Sequence, residues 1–159
     1  MSFEIEVLKE ADVEASAKAL QKSMADQSNP LFGDVKNLER AIYGPHVLTL
    51  IAKRAGSIVG LVTGTASIAP NIVFLGVTDP QSAREGLGNQ LIDRFIDEVK
   101  KKSPNATEVR VTLPTQYTDA VALYSSKGFA VIGFVKTEGG RDMVFLSRRY
   151  ANKTKTQIA

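Results

Sequence analysis

Apolar and polar residues alternate with a period of two in some stretches of the chain and recur with a period near 3.6 in others, and the switches between the two mark out its elements. From Phe3 to Leu8, Phe, Ile and Val alternate with Glu, which predicts an edge or half-exposed strand. Asp12 is placed to cap a helix running to about Met24, with Val13, Ala17 and Leu20 as its inner face. Ser28-Asn29-Pro30 breaks the chain, and a second helix follows from Asp34 with Leu38 and Ile42 inward, ended by Gly44-Pro45. Both helices are weakly apolar and are expected to cover one end of a sheet. Residues 46–68 read as a β-hairpin turning at Arg54-Ala55-Gly56.

Ile72 to Val77 is a short, β-branched apolar run bounded by Thr78-Asp79-Pro80, the pattern of a buried strand. A helix follows in which Leu87, Leu91, Ile92, Phe95, Ile96 and Val99 form one stripe, while Asn89, Asp93, Asp97 and Lys100 fill the other faces. Ser103-Pro104-Asn105 stops it. Glu108 to Leu113 alternates again as a strand, Thr118 or Asp119 starts a short helix through Lys127, and Gly128 caps its end. FAVIGFV and DMVFLS are two further strands joined by Glu138-Gly139-Gly140. The order β-α-α-β-β-β-α-β-α-β-β requires a mixed sheet, because hairpin-like strands precede the central crossover.

With 159 residues, 43% hydrophobic and 23% charged, the chain suits one globular domain, expected over residues 1–150, with 151–159 as a flexible polar tail. No run of about 18 apolar residues occurs, and Met1 to Glu6 is not a charged-then-apolar leader, so a soluble, cytoplasmic protein with no membrane partner is expected. Cysteine is absent, which excludes disulfides, thiolate metal sites and a cysteine nucleophile. The sole histidine, His46, removes the usual metal constellations, and no metal is expected. The net charge of +3 is scattered except at Lys100-Lys101-Lys102 and at Arg148-Arg149 with the tail lysines. Such groups are ordinarily solvated, although they also attract polyanions such as a nucleotide 3′-phosphate. No nucleic-acid reading module is recognisable, so no nucleic-acid partner is expected.

Between the buried strand and the long helix lies Arg84-Glu85-Gly86-Leu87-Gly88-Asn89. The first four amides of a helix lack internal acceptors and sit at the positive end of its dipole, which suits them to phosphate, and Arg84 adds a charge. A plain strand-to-helix connection is the other reading. A third glycine at dinucleotide-fold spacing and a GK[ST] ending are both missing, which argues against Rossmann and P-loop nucleotide sites.

Two motifs coincide here, and with them the chain resembles the GNAT superfamily of N-acetyltransferases. Ala83-Arg84-Glu85-Gly86-Leu87-Gly88 looks like that family's pyrophosphate loop, Q/R-x-x-G-x-G/A, with Ala83 in place of the usual Gln or Arg. Ala120 to Phe129 looks like its A-x-x-L-Y-x-x-x-G-F segment. The resemblance spans about residues 3–148. It implies an α/β (mixed α+β) fold, with a central, largely antiparallel sheet of about seven strands flanked by about four helices.

It further implies an acetyl group moved from acetyl-CoA, the cosubstrate, to a primary amine of a small molecule or protein. Transfer would occur by direct attack in a ternary complex, which the absent cysteine allows. Carried over by position, the amides of Arg84, Glu85, Gly86, Leu87, Gly88 and Asn89 hold the pyrophosphate, and Leu75, Gly76 and Val77 hold the pantetheine arm. The family's central strand is usually bulged, and Gly76 is a residue type that tolerates a bulge. One amide of that strand would polarise the thioester carbonyl. Tyr124 matches the tyrosine that protonates the departing thiolate, and Tyr117 stands where many members have a cofactor-contacting asparagine.

Members often place a glutamate on or beside the central strand as base, but Ile72 to Val77 contains no acid. Glu108, Asp119 and His46 are the candidates, each with an ordinary structural explanation, and a water relay to bulk is an alternative. The acceptor is expected where the first two helices, the loop from Asn29 to Asp34 and the turn at Glu138-Gly139-Gly140 meet, with Asp26, Asp34 and Glu138 attracting a cationic amine. A homodimer is left open. Two other readings stand beside the enzyme: a non-catalytic acyl-CoA-binding or sensor module on the same fold, and a basic interaction domain for nucleic acid.

Overall fold

A computed structural model describes residues 2–23 and 33–150, so Met24, Asp26, Asn29 and the tail from 151 fall outside the described residues. The elements are β1 (Glu4–Val7), a 3₁₀ turn (Glu10–Asp12), α1 (Val13–Ser23), α2 (Val35–Ile42), β2 (Val47–Arg54), β3 (Ser57–Thr65), β4 (Asn71–Val77), α3 (Pro80–Arg84), α4 (Leu87–Lys102), β5 (Glu108–Pro114), α5 (Thr118–Ser126), β6 (Ala130–Val135) and β7 (Met143–Arg149). The strands form one seven-stranded sheet in the order β1-β2-β3-β4-β5-β7-β6. Every pair is antiparallel except β4 with β5, so the sheet is mixed as the element order requires.

Helices cover both faces of the sheet. The α4 stripe of Leu87, Leu91, Ile92, Phe95, Ile96 and Val99 is buried against Leu48, Leu50 and Val62. Each such side chain contributes on the order of 1.5–3 kcal/mol when fully buried. The opposite face carries α1 and α2, whose Leu20 and Leu38 lie against Ile51 and Leu61. Both faces of β2 are therefore covered, which is why Leu50, Ile51 and Ala52 follow one another without alternation, and the buried Thr49 hydroxyl in the same strand is paired with the Ile42 carbonyl and the Thr63 hydroxyl. The first two helices cover a face of the sheet rather than one end of it, because a few fully buried leucines suffice to anchor them.

Asp34 caps α2 as expected, its carboxylate accepting the Lys36 N–H at 2.9 Å. Asp12 instead ends the 3₁₀ turn, and its carboxylate accepts from Lys53 Nζ at 3.0 Å. The hairpin between β2 and β3 turns through Ala55 and Gly56, with φ of 49° and 79°, a two-residue turn that follows the twist of its strands. The helix α3 was not foreseen. Asp79 caps it by accepting from the Ser82 N–H at 2.8 Å and from the Ser82 hydroxyl, with Pro80 in its first turn. Five residues are too few to show an apolar period.

The central strand β4 departs from ideal pairing at Val73. Thr63 pairs with Phe74 and Gly64 with Ile72, which leaves Val73 as an extra residue. Gly64 permits this, since a Cβ there would stand 2.0 Å from the Asn71 carbonyl oxygen. The bulge falls at Val73 and not at Gly76, whose missing side chain serves α1: a Cβ at Gly76 would lie 2.9 Å from Ser23 Oγ. After the bulge β4 leaves β5. Their parallel pairing is confined to Asn71 with Arg110 and Ile72 with Val111.

Candidate active site

Where β4 and β5 part, a cavity of about 620 Å³ opens. Val73, Leu75 and Val77 line one side, Leu113 and Pro114 the other, and Leu123 and Tyr124 of α5 close it. The Thr78 N–H donates to the Val59 carbonyl at 2.9 Å, so Thr78 faces β3. Alternation along the strand then turns the N–H and C=O of Val77 and Leu75 to the opposite edge, toward the gap. Backbone groups that a continuous sheet would use are thereby presented to the cavity.

The first turn of α4 lies at the same place. Gly86 is its N-cap, with φ 82° and ψ 24°, a left-handed conformation that glycine adopts at little cost, and no side chain caps the helix. The Glu85 N–H donates to the Gln81 carbonyl at 3.0 Å and the Gly86 N–H to the Ala83 carbonyl at 3.2 Å. The Arg84 amide belongs to the last residue of α3. Within α4 the first amide bonded to a carbonyl behind it is that of Gln90, to Gly86 at 3.2 Å. Of the six amides that the sequence grouped together, those of Leu87, Gly88 and Asn89 thus lie at the open start of the helix, ready for an anion. Gly88 lines the cavity, and a Cβ on it would come 3.2 Å from Leu123 Cδ2, so α5 packs closely on this turn.

That packing sets Tyr124 beside the turn. Its ring is buried and meets Phe129 edge-on, with centroids 5.2 Å apart at 77°. Gly128 in the left-handed conformation ends α5 and lets the Phe129 N–H reach the Tyr124 carbonyl at 3.1 Å, which fixes the pair. Burial pushes the Tyr124 phenol well above its ordinary range, so it holds its proton at any physiological pH. Tyr117 is the N-cap residue of α5 and also lines the cavity.

The structure thus gathers Leu75, Val77, Gly88, Tyr117 and Tyr124 around one cavity, while Gly76 faces Ser23 of α1 and Arg84 is exposed at the end of α3. Of the candidate bases, Asp119 lines the cavity from the exposed first turn of α5. Glu108 lies at the paired end of β5, where the Ser147 hydroxyl and then Arg110 hold its carboxyl below the usual range. His46 is exposed, in a left-handed turn ahead of β2 with φ 66°. Neither lines the cavity.

Asp34 is committed to capping α2. Among the described residues no group of three or more His, Cys, Asp or Glu is arranged to hold a metal. Sequence reasoning missed Val73, whose role depends on a register shift in β3, and Arg141, which lines the cavity one residue beyond the glycine turn already singled out.

Solved structures with the same fold include the ribosomal-protein-S18-alanine N-acetyltransferase from Escherichia coli, with 21% identity, a TM-score of 0.77, and 96% of this chain and 97% of that chain covered. Ard1 from Thermoplasma volcanium matches with 21% identity and a TM-score of 0.73 over 95% of this chain and 99% of that chain. A ribosomal-protein-alanine N-acetyltransferase from Brucella melitensis matches with 18% identity and a TM-score of 0.75 over 92% and 99%. None of the curated proteins compared with the sequence matches it. The family model for the acetyltransferase (GNAT) domain matches residues 9–146. By that match, which spans most of its length, the chain belongs to the GNAT family of acetyltransferases.

Proposed function

We propose that the protein transfers an acetyl group from acetyl-CoA to a primary amine by direct attack in a ternary complex. One observation carries the reading: the open first turn of α4, which reaches the cavity at Gly88, the outward-turned edge of β4 and a protonated, buried Tyr124 meet at one mostly apolar cavity. Acetyl-CoA supplies an activated thioester. The amides of Leu87, Gly88 and Asn89 hold its diphosphate at the positive end of the helix dipole, with the charge of Arg84 nearby in sequence. The strand edge at Leu75 and Val77, held in place by Gly76 against α1, aligns the pantetheine arm and directs an N–H at the thioester carbonyl. Tyr117 flanks the arm.

Tyr124 gives its proton to the departing thiolate. A phenol is a weak acid toward a thiol of pKa about 8.5, and burial makes this one weaker still, so the transfer depends on the close placement that α5 provides. The amine's proton passes to solvent at the open rim, where Asp119 is the lining carboxylate. The similarity to ribosomal-protein-alanine N-acetyltransferases makes a peptide α-amine a leading acceptor class, alongside lysine side chains and small amines.

The test is mass-detected acetylation by purified protein of a panel holding alanine-terminated peptides, lysine peptides and small amines. One class is expected to gain an acetyl group, and Tyr124→Phe is expected to lower turnover by about 10² with the Kd for CoA unchanged. Binding of CoA with no acetylation of any amine would leave an acyl-CoA-binding module and overturn the enzymatic reading.

A further inference from the structure

A side chain that does not line the cavity reaches the turn that begins α4. Arg54 ends β2, and its guanidinium lies over the Phe3 ring at 4.5 Å from the centroid. Its Nη2 donates to Glu85 Oε2, and Gln81 Nε2 donates to Glu85 Oε1 at 2.9 Å. The Arg54 side chain is 15% exposed, against 37% for Glu85, and its Nε is buried with no partner. The ring beneath and the carboxylate beside it therefore restrict where this guanidinium can sit. Asp79 feels the same cation: the Ser82 hydrogen bonds first, and the Arg54 charge after them, hold its carboxyl below the usual range.

Glu85 directly precedes Gly86, the left-handed residue that aims the amides of Leu87, Gly88 and Asn89. A carboxylate in that position would repel a diphosphate if left unpaired. It would also leave the turn free to swing.

We propose that Arg54 is a positioning residue for the diphosphate site: its ion pair with Glu85 pins the Glu85-Gly86 turn, fixes the direction of the α4 amides and neutralises the charge beside them. The proposal rests on the reading that a diphosphate binds those amides. A misplacement near 1 Å is enough to weaken such contacts severely.

The experiment compares Arg54→Met, Arg54→Lys, Glu85→Gln and the double variant Arg54→Met/Glu85→Gln with the unaltered protein. The Kd for CoA is read by calorimetry, and kcat and KM are read with acetyl-CoA and with S-acetylpantetheine, which has no diphosphate. Arg54→Met is expected to raise the Kd for CoA and the KM for acetyl-CoA by about tenfold with kcat nearly unchanged. S-acetylpantetheine is expected to react equally with both proteins. Arg54→Lys recovers part of the loss, because the charge returns without the planar fork. The double variant loses less than the sum of the singles.

If Arg54→Met fails to fold, Arg54→Lys serves in its place: it keeps the charge but not the planar fork, and it is expected to raise the Kd for CoA by a few-fold, again without effect on S-acetylpantetheine. An unaltered protein that takes up no CoA would sink the diphosphate reading itself. Normal CoA uptake by the unaltered protein, with variants that bind CoA as well or lose both donors alike, would overturn the role of Arg54 alone.

Discussion

Two helices begin within eight residues of each other after β4, and their starts are built in opposite ways. At α3 the carboxylate of Asp79 accepts from both the N–H and the hydroxyl of Ser82, and Pro80 follows with no N–H to satisfy. That end is closed. At α4 the cap is Gly86, which has no side chain to offer, and the amides of Leu87, Gly88 and Asn89 precede the first intrahelical bond. The same short stretch caps one helix fully and leaves open the one beside the cavity.

The comparison can be broken most severely by closing the open end. Gly86→Asp brings a carboxylate to the amides of α4, and there is room for it, since a Cβ at Gly86 meets nothing within 4 Å. Calorimetry is expected to show the Kd for CoA raised by about 10² or more, through charge repulsion and lost amide contacts. Gly86→Ala separates the backbone cost of the left-handed φ, about 1–2 kcal/mol, from that charge effect. Its Kd is expected to fall between those of the unaltered protein and Gly86→Asp.

Gly88→Ala acts more mildly. Its Cβ would crowd the movable end of Leu123 at 3.2 Å, so the Kd for CoA is expected to rise by about threefold to tenfold, with kcat also reduced because Tyr124 adjoins Leu123. Asp79→Asn, which replaces one good cap by another on the closed helix, is expected to change the Kd for CoA by less than about threefold. The smallest effect is one of pH. Hydrogen bonding lowers the Asp79 carboxyl in the folded protein, so its stabilisation is present above the unfolded value of about 3.9 and is lost as pH falls through the lower folded value. Amide resonances followed by NMR are expected to shift at Ser82, whose N–H the Asp79 carboxylate accepts, as pH falls below about 4.

How much of this was readable from sequence depends on whether a residue's role lies in local pattern or in a distant neighbour. The β4 strand, the glycine turn and α4 were legible, because each shows its period or its turn residues within a few positions. The helix α3 was not, because Asp79-Pro80 signals a helix start and a turn equally well. Gly76 reads in sequence as a residue that tolerates a bulge, yet its missing side chain makes room for Ser23 of α1, while the bulge falls at Val73 opposite Gly64. Tyr124 and Gly88 are named by their motifs, and both line the cavity. The pairing of Arg54 with Glu85 joins residues 31 apart and left no trace in composition or spacing.

The central claim concerns specific backbone amides, and the most direct measurement is a titration of the ¹⁵N-labelled protein with CoA, followed by ¹H–¹⁵N correlation spectra. The account predicts that the resonances of Leu87, Gly88 and Asn89 move most, those of Leu75 and Val77 next, and that of Ser82 in the closed helix stays near its place. Saturation by CoA with the Leu87 to Asn89 resonances unmoved, while amides elsewhere respond, would contradict it.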